Sequence, residues 1–187
     1  MTGNDRKRLF IALNLPREIK EKLVGFIDDL SRQNRGVKWV NSEGLHLTLH
    51  FLGYLDEKKI EEVKSMMNGL AGKIGDMEFS LKRIDAFPNL TRPRIIFLEA
   101  KQTGDQSVFD LQELLGLELI KLKIDIDDRP WRSHITLGRV KTPNINLRLV
   151  PEPEILPLNF EISSFELMES ELTPSGAKYK EVASFKL

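Results

Sequence analysis

The sequence predicts an α+β fold with helices packed on one side of its sheets, and two observations predict it. Runs of strand length alternate with three stretches of helical spacing, in the coarse order strand, helix, strands, helix, strands, helix, strands. Leu45-His46-Leu47-Thr48-Leu49 also returns as Ser133-His134-Ile135-Thr136-Leu137, in a chain with only 3 histidines. The two halves are weakly alike in sequence, yet each has a helix between strands and one motif strand. A duplication with pseudo-two-fold symmetry would bring the two motif strands face to face across a cleft.

Leu9 to Leu15 is a short apolar run stopped by Pro16 and reads as a buried strand. Pro16 suits the first position of a helix, and Ile19, Leu23, Phe26, Ile27 and Leu30 then recur on one helical face. That helix frays near Asn34 to Gly36. Gly36 to Val40 is a short strand, and Asn41-Ser42-Glu43-Gly44 is a turn. Leu45 to Leu52 alternates as a strand closed by Gly53. Period-two geometry puts His46, Thr48 and His50 on one face and Leu45, Leu47, Leu49 and Phe51 on the other.

Asp56 caps a second helix through Ile60, Val63, Met66, Met67 and Leu70, which ends at Gly72 and Gly75. Met77 to Phe87 and Arg94 to Ala100 are strands, separated by the turn Pro88-Asn89 and the basic segment Thr91-Arg92-Pro93. Gln106 to Leu119 is a third helix with Phe109, Leu111, Leu114 and Leu115 as core positions. An acidic turn, Asp125 to Pro130, leads into the second motif strand, Arg132 to Val140. Prolines from Pro143 to Pro157 argue for a loop with at most a short helix. Phe160 to Leu172 and Lys178 to Phe185 read as two strands joined by the hairpin turn Thr173-Pro174-Ser175-Gly176. One domain spanning residues 1–187 is expected, with no separable second domain.

Composition narrows the chemistry. Lys plus Arg number 28 and Asp plus Glu number 28, so no global field draws the chain to nucleic acid or to an anionic membrane. Contact with a polyanion must come from a local patch. The absence of cysteine excludes a disulfide framework, thiolate metal sites and Cys nucleophiles. No run reaches the length of a membrane span and no signal-length apolar stretch follows the basic N-terminus, so no membrane contact and a cytoplasmic location are expected.

A single His on a strand is ordinarily a structural residue; the repeat is what makes these two chemical. Two facing imidazoles, each with an ordinary pKa near 6.5, can divide acid and base roles near neutral pH. One takes a proton from a nucleophile while the other gives one to a leaving oxygen, as in-line displacement at phosphorus requires. Thr48 and Thr136, each two residues from its His on the same face, can hydrogen-bond a phosphate oxygen without adding charge. A metal site is the competing chemistry. His46 and His50 would lie about 13 Å apart by strand rise, too far to share an ion, and neither motif holds a carboxylate.

At these motifs the chain resembles the 2H phosphoesterase superfamily, and within it the bacterial and archaeal 2′-5′ RNA ligase-like branch, the RNA 2′,3′-cyclic phosphodiesterases. The likeness extends to Phe10-Ile11-Ala12, Val37-Lys38-Trp39-Val40, His46 through Gly53, Phe87-Pro88 before Arg92-Pro93-Arg94, Ser133 through Arg139, and Ser170 before Gly176 and Tyr179. The resemblance implies a bilobal fold of two pseudo-symmetric, ferredoxin-like halves, with antiparallel sheets flanking a central cleft and helices outside. It implies no metal and no cofactor. It also implies opening of an RNA terminal 2′,3′-cyclic phosphate to a 2′-phosphomonoester, with reversible 2′-5′ RNA ligation as the related activity.

Carried over by motif position, His46 would be the proton donor, His134 the proton acceptor, and Thr48 and Thr136 the phosphate holders. Arg139 matches an Arg that follows the second motif. Strict alternation turns it away from His134, but a bulge near Gly138 would return it. Arg92 and Arg94 are further candidates for RNA phosphate contacts, against the ordinary reading of solvated turn residues, and Trp39 and Phe87 for base stacking, against the ordinary reading of core aromatics. His50 shares the parity of His46 and could line the groove; the competing reading is a hydrogen-bonded, non-catalytic His. Arg132 and Ser133 stand where the family often has an aromatic residue and a proline. The partner expected is RNA with a 2′,3′-cyclic phosphate or a 2′-5′ linked end, bound by a monomer. The alternatives are a sibling activity on 2′-5′ oligonucleotides, RNA 3′ ends or small cyclic nucleotides, and non-catalytic binding of RNA ends.

Overall fold

A computed structural model describes residues 6–105, 107–142, 157–174 and 176–187. The expected proline-rich loop after Pro143, the helix start at Gln106 and Ser175 of the hairpin turn lie outside the described residues. Among the described residues the chain runs β1 (Lys7–Asn14), α1 (Arg17–Gln33), β2 (Val37–Trp39), a 3-10 turn (Ser42–Gly44), β3 (His46–Leu55), α2 (Glu57–Leu70), β4 (Met77–Phe87) and β5 (Ile95–Gln102). It continues as α3 (Val108–Lys121), β6 (His134–Val140), β7 (Leu158–Ile162), β8 (Ser164–Thr173) and β9 (Gly176–Lys186).

The strands form one sheet in the order β7-β4-β5-β6-β3-β1-β8-β9, with β2 added against β6. Its pairings are antiparallel, as expected for this α+β class. Four strands lie on each side of the β3–β6 junction, which is made by one pair, Leu47 with Ile135. The two motif strands are therefore the innermost pair, and the sheet is thinnest between them.

The helices form where the sequence places them, but α3 turns Phe109 and Leu114, both expected in the core, to the surface, because its buried stripe takes Val108 and Leu119 with Leu111 and Leu115 instead. Pro16 precedes α1, and its carbonyl accepts from the Ile19 and Lys20 N–H groups. Asp56 accepts from the Lys59 N–H and caps α2, and Ser107 caps α3 through the Asp110 N–H. The buried stripes of α1 (Ile19, Leu23, Ile27, Leu30), α2 (Ile60, Val63, Met67) and α3 (Val108, Leu111, Leu115, Leu119) all cover one sheet face. They pack there with Leu9, Ile11, Leu13, Leu47, Ile96 and Ile135. Burying each large aliphatic side chain contributes about 2 kcal/mol, so this face holds the main core. The other face carries smaller apolar groups among the described residues, one of them Phe10, Ala12 and Met168 with Tyr179 against it, and it is the face left for chemistry.

Two strand boundaries differ from the expectation. The run Phe160 to Leu172 is not one strand: it divides at Ser163 into β7, which pairs with β4, and β8, which pairs with β1 on the far side of the sheet. The apolar parity changes there, from Leu158, Phe160 and Ile162 to Phe165 and Leu167, but a bulge within one strand leaves the same mark. The first motif strand also passes through Gly53 to Leu55, because Gly53 adopts a φ of +71° that a side chain would resist.

Candidate active site

Pairing across the sheet fixes which face each side chain takes. On β3, His46, Thr48 and Phe51 pair with Asn14, Ala12 and Phe10, whereas Leu47 and His50 pair with Leu13 and Ile11. Ile11 takes His50 and Ala12 takes Thr48, so Leu49 is an extra residue, a bulge that reverses the alternation. His46 and Thr48 remain on the helix-free face as expected. His50 does not, which corrects the face that parity gave it and agrees with the competing reading of a hydrogen-bonded His. It is 4% exposed, its Nε2–H donates to the Gln112 carbonyl of α3 at 2.7 Å, and it lies against Gly116. Phe51 moves the other way, onto the site face, where it is 52% exposed beside Phe10 and under Arg8.

The second motif repeats the device. Ile96 pairs with Gly138 and Phe97 with Thr136, so Leu137 is the extra residue. Arg139, paired with Ile95, thereby shares the face of Phe97 and Thr136, and the bulge that its site role needs is present one residue before Gly138. Both bulges fall at the Leu after the motif Thr. Gly138 itself meets β2 so closely that a Cβ would stand 2.6 Å from Val37 and 3.0 Å from Trp39. Trp39 therefore packs on the core side, and the expected RNA contact by Trp39 is not supported. Its neighbour Lys38, paired with Arg139, takes the site face.

Continuing the Leu47–Ile135 register by one residue each way sets His46 across from Thr136 and Thr48 across from His134. The histidines then occupy one diagonal of a quartet and the threonines the other. Diagonal neighbours in a regular sheet stand about 7–8 Å apart, a gap that a phosphate group can enter with an imidazole on either side. Past this point β3 and β6 separate. The Trp131 indole N–H donates to the Thr48 carbonyl at 2.9 Å and ties the two strands together on that side.

Each imidazole is set the same way. His46 Nδ1–H donates to the Glu43 carbonyl at 3.2 Å, and His134 Nδ1–H donates to the Arg132 carbonyl at 2.7 Å. A backbone carbonyl can only accept, so both neutral rings leave Nε2 with a free lone pair. Each ring also rests on aromatic neighbours: His46 on Phe10 and Tyr179 at 4.9 and 5.0 Å, His134 on Phe87 and Phe97 at 5.1 and 5.3 Å. Phe87 stacks on Phe97 at 4.3 Å, on the site face.

Burial disfavours the charged form of both rings. His46, 8% exposed, is pushed down to about 4, with the charges of Lys20 and His134 adding to the effect and the Glu43 carbonyl opposing it. His134 is lowered by burial first and by Arg132 as well. In the free protein both imidazoles are therefore neutral at pH 7. An anion placed between them would raise both and draw a proton onto one.

Arg92 and Arg94 are exposed in the turn between β4 and β5. The Arg94 carbonyl accepts from Val140, so that turn borders the Arg139 end of β6. Among the described residues, no three His, Cys, Asp or Glu side chains gather in a group that could hold a metal. Lys20, Lys38, Phe51, Arg132 and Tyr179 were not singled out as site residues from sequence. Arg132 alone had a usable signal there, since it shares the parity of His134.

The sequence and the fold are similar to those of known proteins. Residues 13–97 fit the family model described as LigT like phosphoesterase. A relative from Thermotoga maritima named RNA 2′,3′-cyclic phosphodiesterase is 31% identical over 174 residues, covering 92% of this chain and 91% of its own. The chain belongs to the LigT-like phosphoesterase family. A second relative of the same name from Thermus thermophilus is 34% identical over 185 residues, covering 96% of this chain and 90% of its own. The crystal structure of the Thermus thermophilus protein TT0787 superposes with a TM-score of 0.83 at 33% identity, covering 96% of this chain and 97% of that one. The LigT-like fold also extends to Escherichia coli LigT, with a TM-score of 0.80 at 21% identity and coverage of 98% and 99%.

Proposed function

We propose that the protein hydrolyses the 2′,3′-cyclic phosphate at an RNA end to a 2′-phosphomonoester by paired-histidine acid-base catalysis. The observation that carries this reading is the quartet around Leu47 and Ile135: two histidines on one diagonal, each with Nδ1 engaged by a backbone carbonyl and Nε2 free. The family and the names of its relatives in Thermotoga and Thermus support the substrate.

In this reading the cyclic phosphate sits within the quartet, and Thr48 and Thr136 donate to its non-bridging oxygens. His134 Nε2 takes a proton from water as the water oxygen bonds to phosphorus. His46 Nε2–H protonates the departing 3′ oxygen, leaving the phosphate on the 2′ oxygen. His46 is the deeper ring and is neutral in the free protein, so its proton is acquired when the anion binds. Arg139 offers a cation to the same phosphate, and Phe51, at the equivalent place on the other motif strand, offers an exposed ring for the terminal base. With an RNA 5′ hydroxyl in place of water, the same groups in the same proton roles would form a 2′-5′ linkage from the cyclic phosphate, and the reverse reaction, cleavage of that linkage, would exchange them.

No step requires a metal or other cofactor, and one domain acting as a monomer in the cytoplasm is the setting this reading implies. The test is incubation with an oligoribonucleotide ending in a 2′,3′-cyclic phosphate in excess EDTA. The proposal expects a product carrying its phosphate only at the 2′ position. A 3′-phosphate product, no reaction, or a strict need for added zinc would overturn it.

A further inference from the structure

Arg132 is a cation that the quartet does not use. Its guanidinium lies 5.1 Å over the Phe87 ring and 5.5 Å over the Phe97 ring, the two rings whose edges pack His134. Asp85 approaches it at 3.6 Å, beyond hydrogen-bond distance, and the Arg132 side chain is 49% exposed. Most of its five N–H donors are thus free, on a plane already held by stacking, so little side-chain entropy remains to be lost on binding. By strand rise Arg132 stands about 6–7 Å from His134, further from the quartet along the same wall. Arg139 lies at the other end of that wall, beyond Thr136.

The opposite wall has a different character. Glu166, buried on β8, accepts from the Asn14 N–H, and the charges of Glu166, Glu43 and Glu181 act on Lys20 beside His46. Lys20 there is partly offset by these carboxylates, whereas Arg132 and Arg139 offer two cations to a polyanion on the β6 side.

We propose that Arg132 binds the phosphodiester on the 5′ side of the terminal nucleotide and makes this protein select oligonucleotides over mononucleoside cyclic phosphates. The inference rests on the hydrolytic reading above and adds to it a second phosphate subsite. It explains why the cation is stacked but only loosely paired: a tight carboxylate partner would neutralise it, whereas the Phe87 and Phe97 rings orient it and leave its edge open.

The test compares kcat/KM for adenosine 2′,3′-cyclic phosphate with that for an adenylyl dinucleotide ending in the same cyclic phosphate. The wild type is expected to prefer the dinucleotide by about tenfold or more. That preference should fall severalfold in Arg132→Gln, recover partly in Arg132→Lys, and disappear in the wild type when a neutral methylphosphonate replaces the internucleotide phosphate. The methylphosphonate arm needs no folded variant. An undiminished preference in that arm or in Arg132→Gln would overturn the proposal while leaving the hydrolytic reading intact. Equal losses on both substrates in Arg132→Gln would make Arg132 a positioning residue for His134 instead. Failure of the wild type to cleave either substrate would overturn the hydrolytic reading, and this proposal with it.

Discussion

Leu47 and Ile135 face one another across the bridge that joins β3 to β6, and the two histidines and two threonines of the motifs are their immediate chain neighbours. Both bridging residues are buried in the core, so the hydrophobic packing that joins the halves of the sheet also sets the spacing of the quartet. Register, which the core specifies strongly, thereby becomes catalytic geometry.

The division of labour between the histidines can be read from the leaving group. A phosphodiester that releases 4-nitrophenolate needs no proton donor. His46→Ala should therefore lose far less activity on such an ester than on the cyclic phosphate, while His134→Ala should lose heavily on both. Parallel steady-state assays decide this, and the opposite pattern would exchange the two roles.

Burial places the free-enzyme pKa values of both imidazoles below the ordinary 6.5, with His46 near 4. The bell in kcat/KM, which reports the free enzyme, should therefore centre below pH 6.5. The bell in kcat should centre at higher pH, because the bound phosphate's negative charge raises both rings. A kcat/KM optimum above pH 7 would contradict the burial argument.

The same burial makes stability depend on pH. His46 has a pKa near 6.5 when unfolded and about 4 when folded, so between these values the unfolded chain binds more protons. Stability from this group is complete above pH 6.5, falls as the pH drops toward 4, and the loss amounts to about 3 kcal/mol. His134 and His50 are lowered too and act in the same direction. Urea unfolding at pH 7 and pH 4.5 should show a smaller acid loss in His46→Asn than in the wild type. An equal loss would contradict the assignment.

His50 holds α3 to β3, and its removal should cost structure rather than chemistry. His50→Ala is expected to lower stability by about 2–3 kcal/mol through the lost bond to the Gln112 carbonyl and the space left against Gly116. Its kcat/KM should stay within a few fold of wild type. A stable His50→Ala variant with a hundredfold lower kcat/KM would place His50 in the reaction after all.

What was legible in the sequence is what local pattern controls. The α1 and α2 faces, the Asp56 cap, the motif strands and the pairing of each His with the Thr two residues on are all short-range features, and they stand in the structure as expected; α3, apolar nearly all round, did not show which of Val108, Phe109, Leu114 and Leu119 would face the core. Parity was lost where the pattern breaks silently. Leu49 and Leu137 are ordinary strand residues, yet each is a bulge, and period-two counting past them put His50 and Phe51 on the wrong faces. Trp39 was left between core packing and RNA contact for a related reason, since only the pairing of β2 with β6 reveals that it faces the core. The crossing at Ser163 was illegible because the change of apolar parity there is equally the mark of a bulge, and nothing local distinguishes the partners of β7 and β8.

The central claim, that His46 and His134 act together on one phosphate, is tested most directly by a double-mutant cycle on an RNA ending in a 2′,3′-cyclic phosphate. His46→Ala and His134→Ala should each slow the chemical step by about two to four orders of magnitude. The double variant should be scarcely slower than the worse single one, because either loss already disables the shared step. Single losses that multiply in the double variant, or either single variant retaining near wild-type turnover, would contradict it.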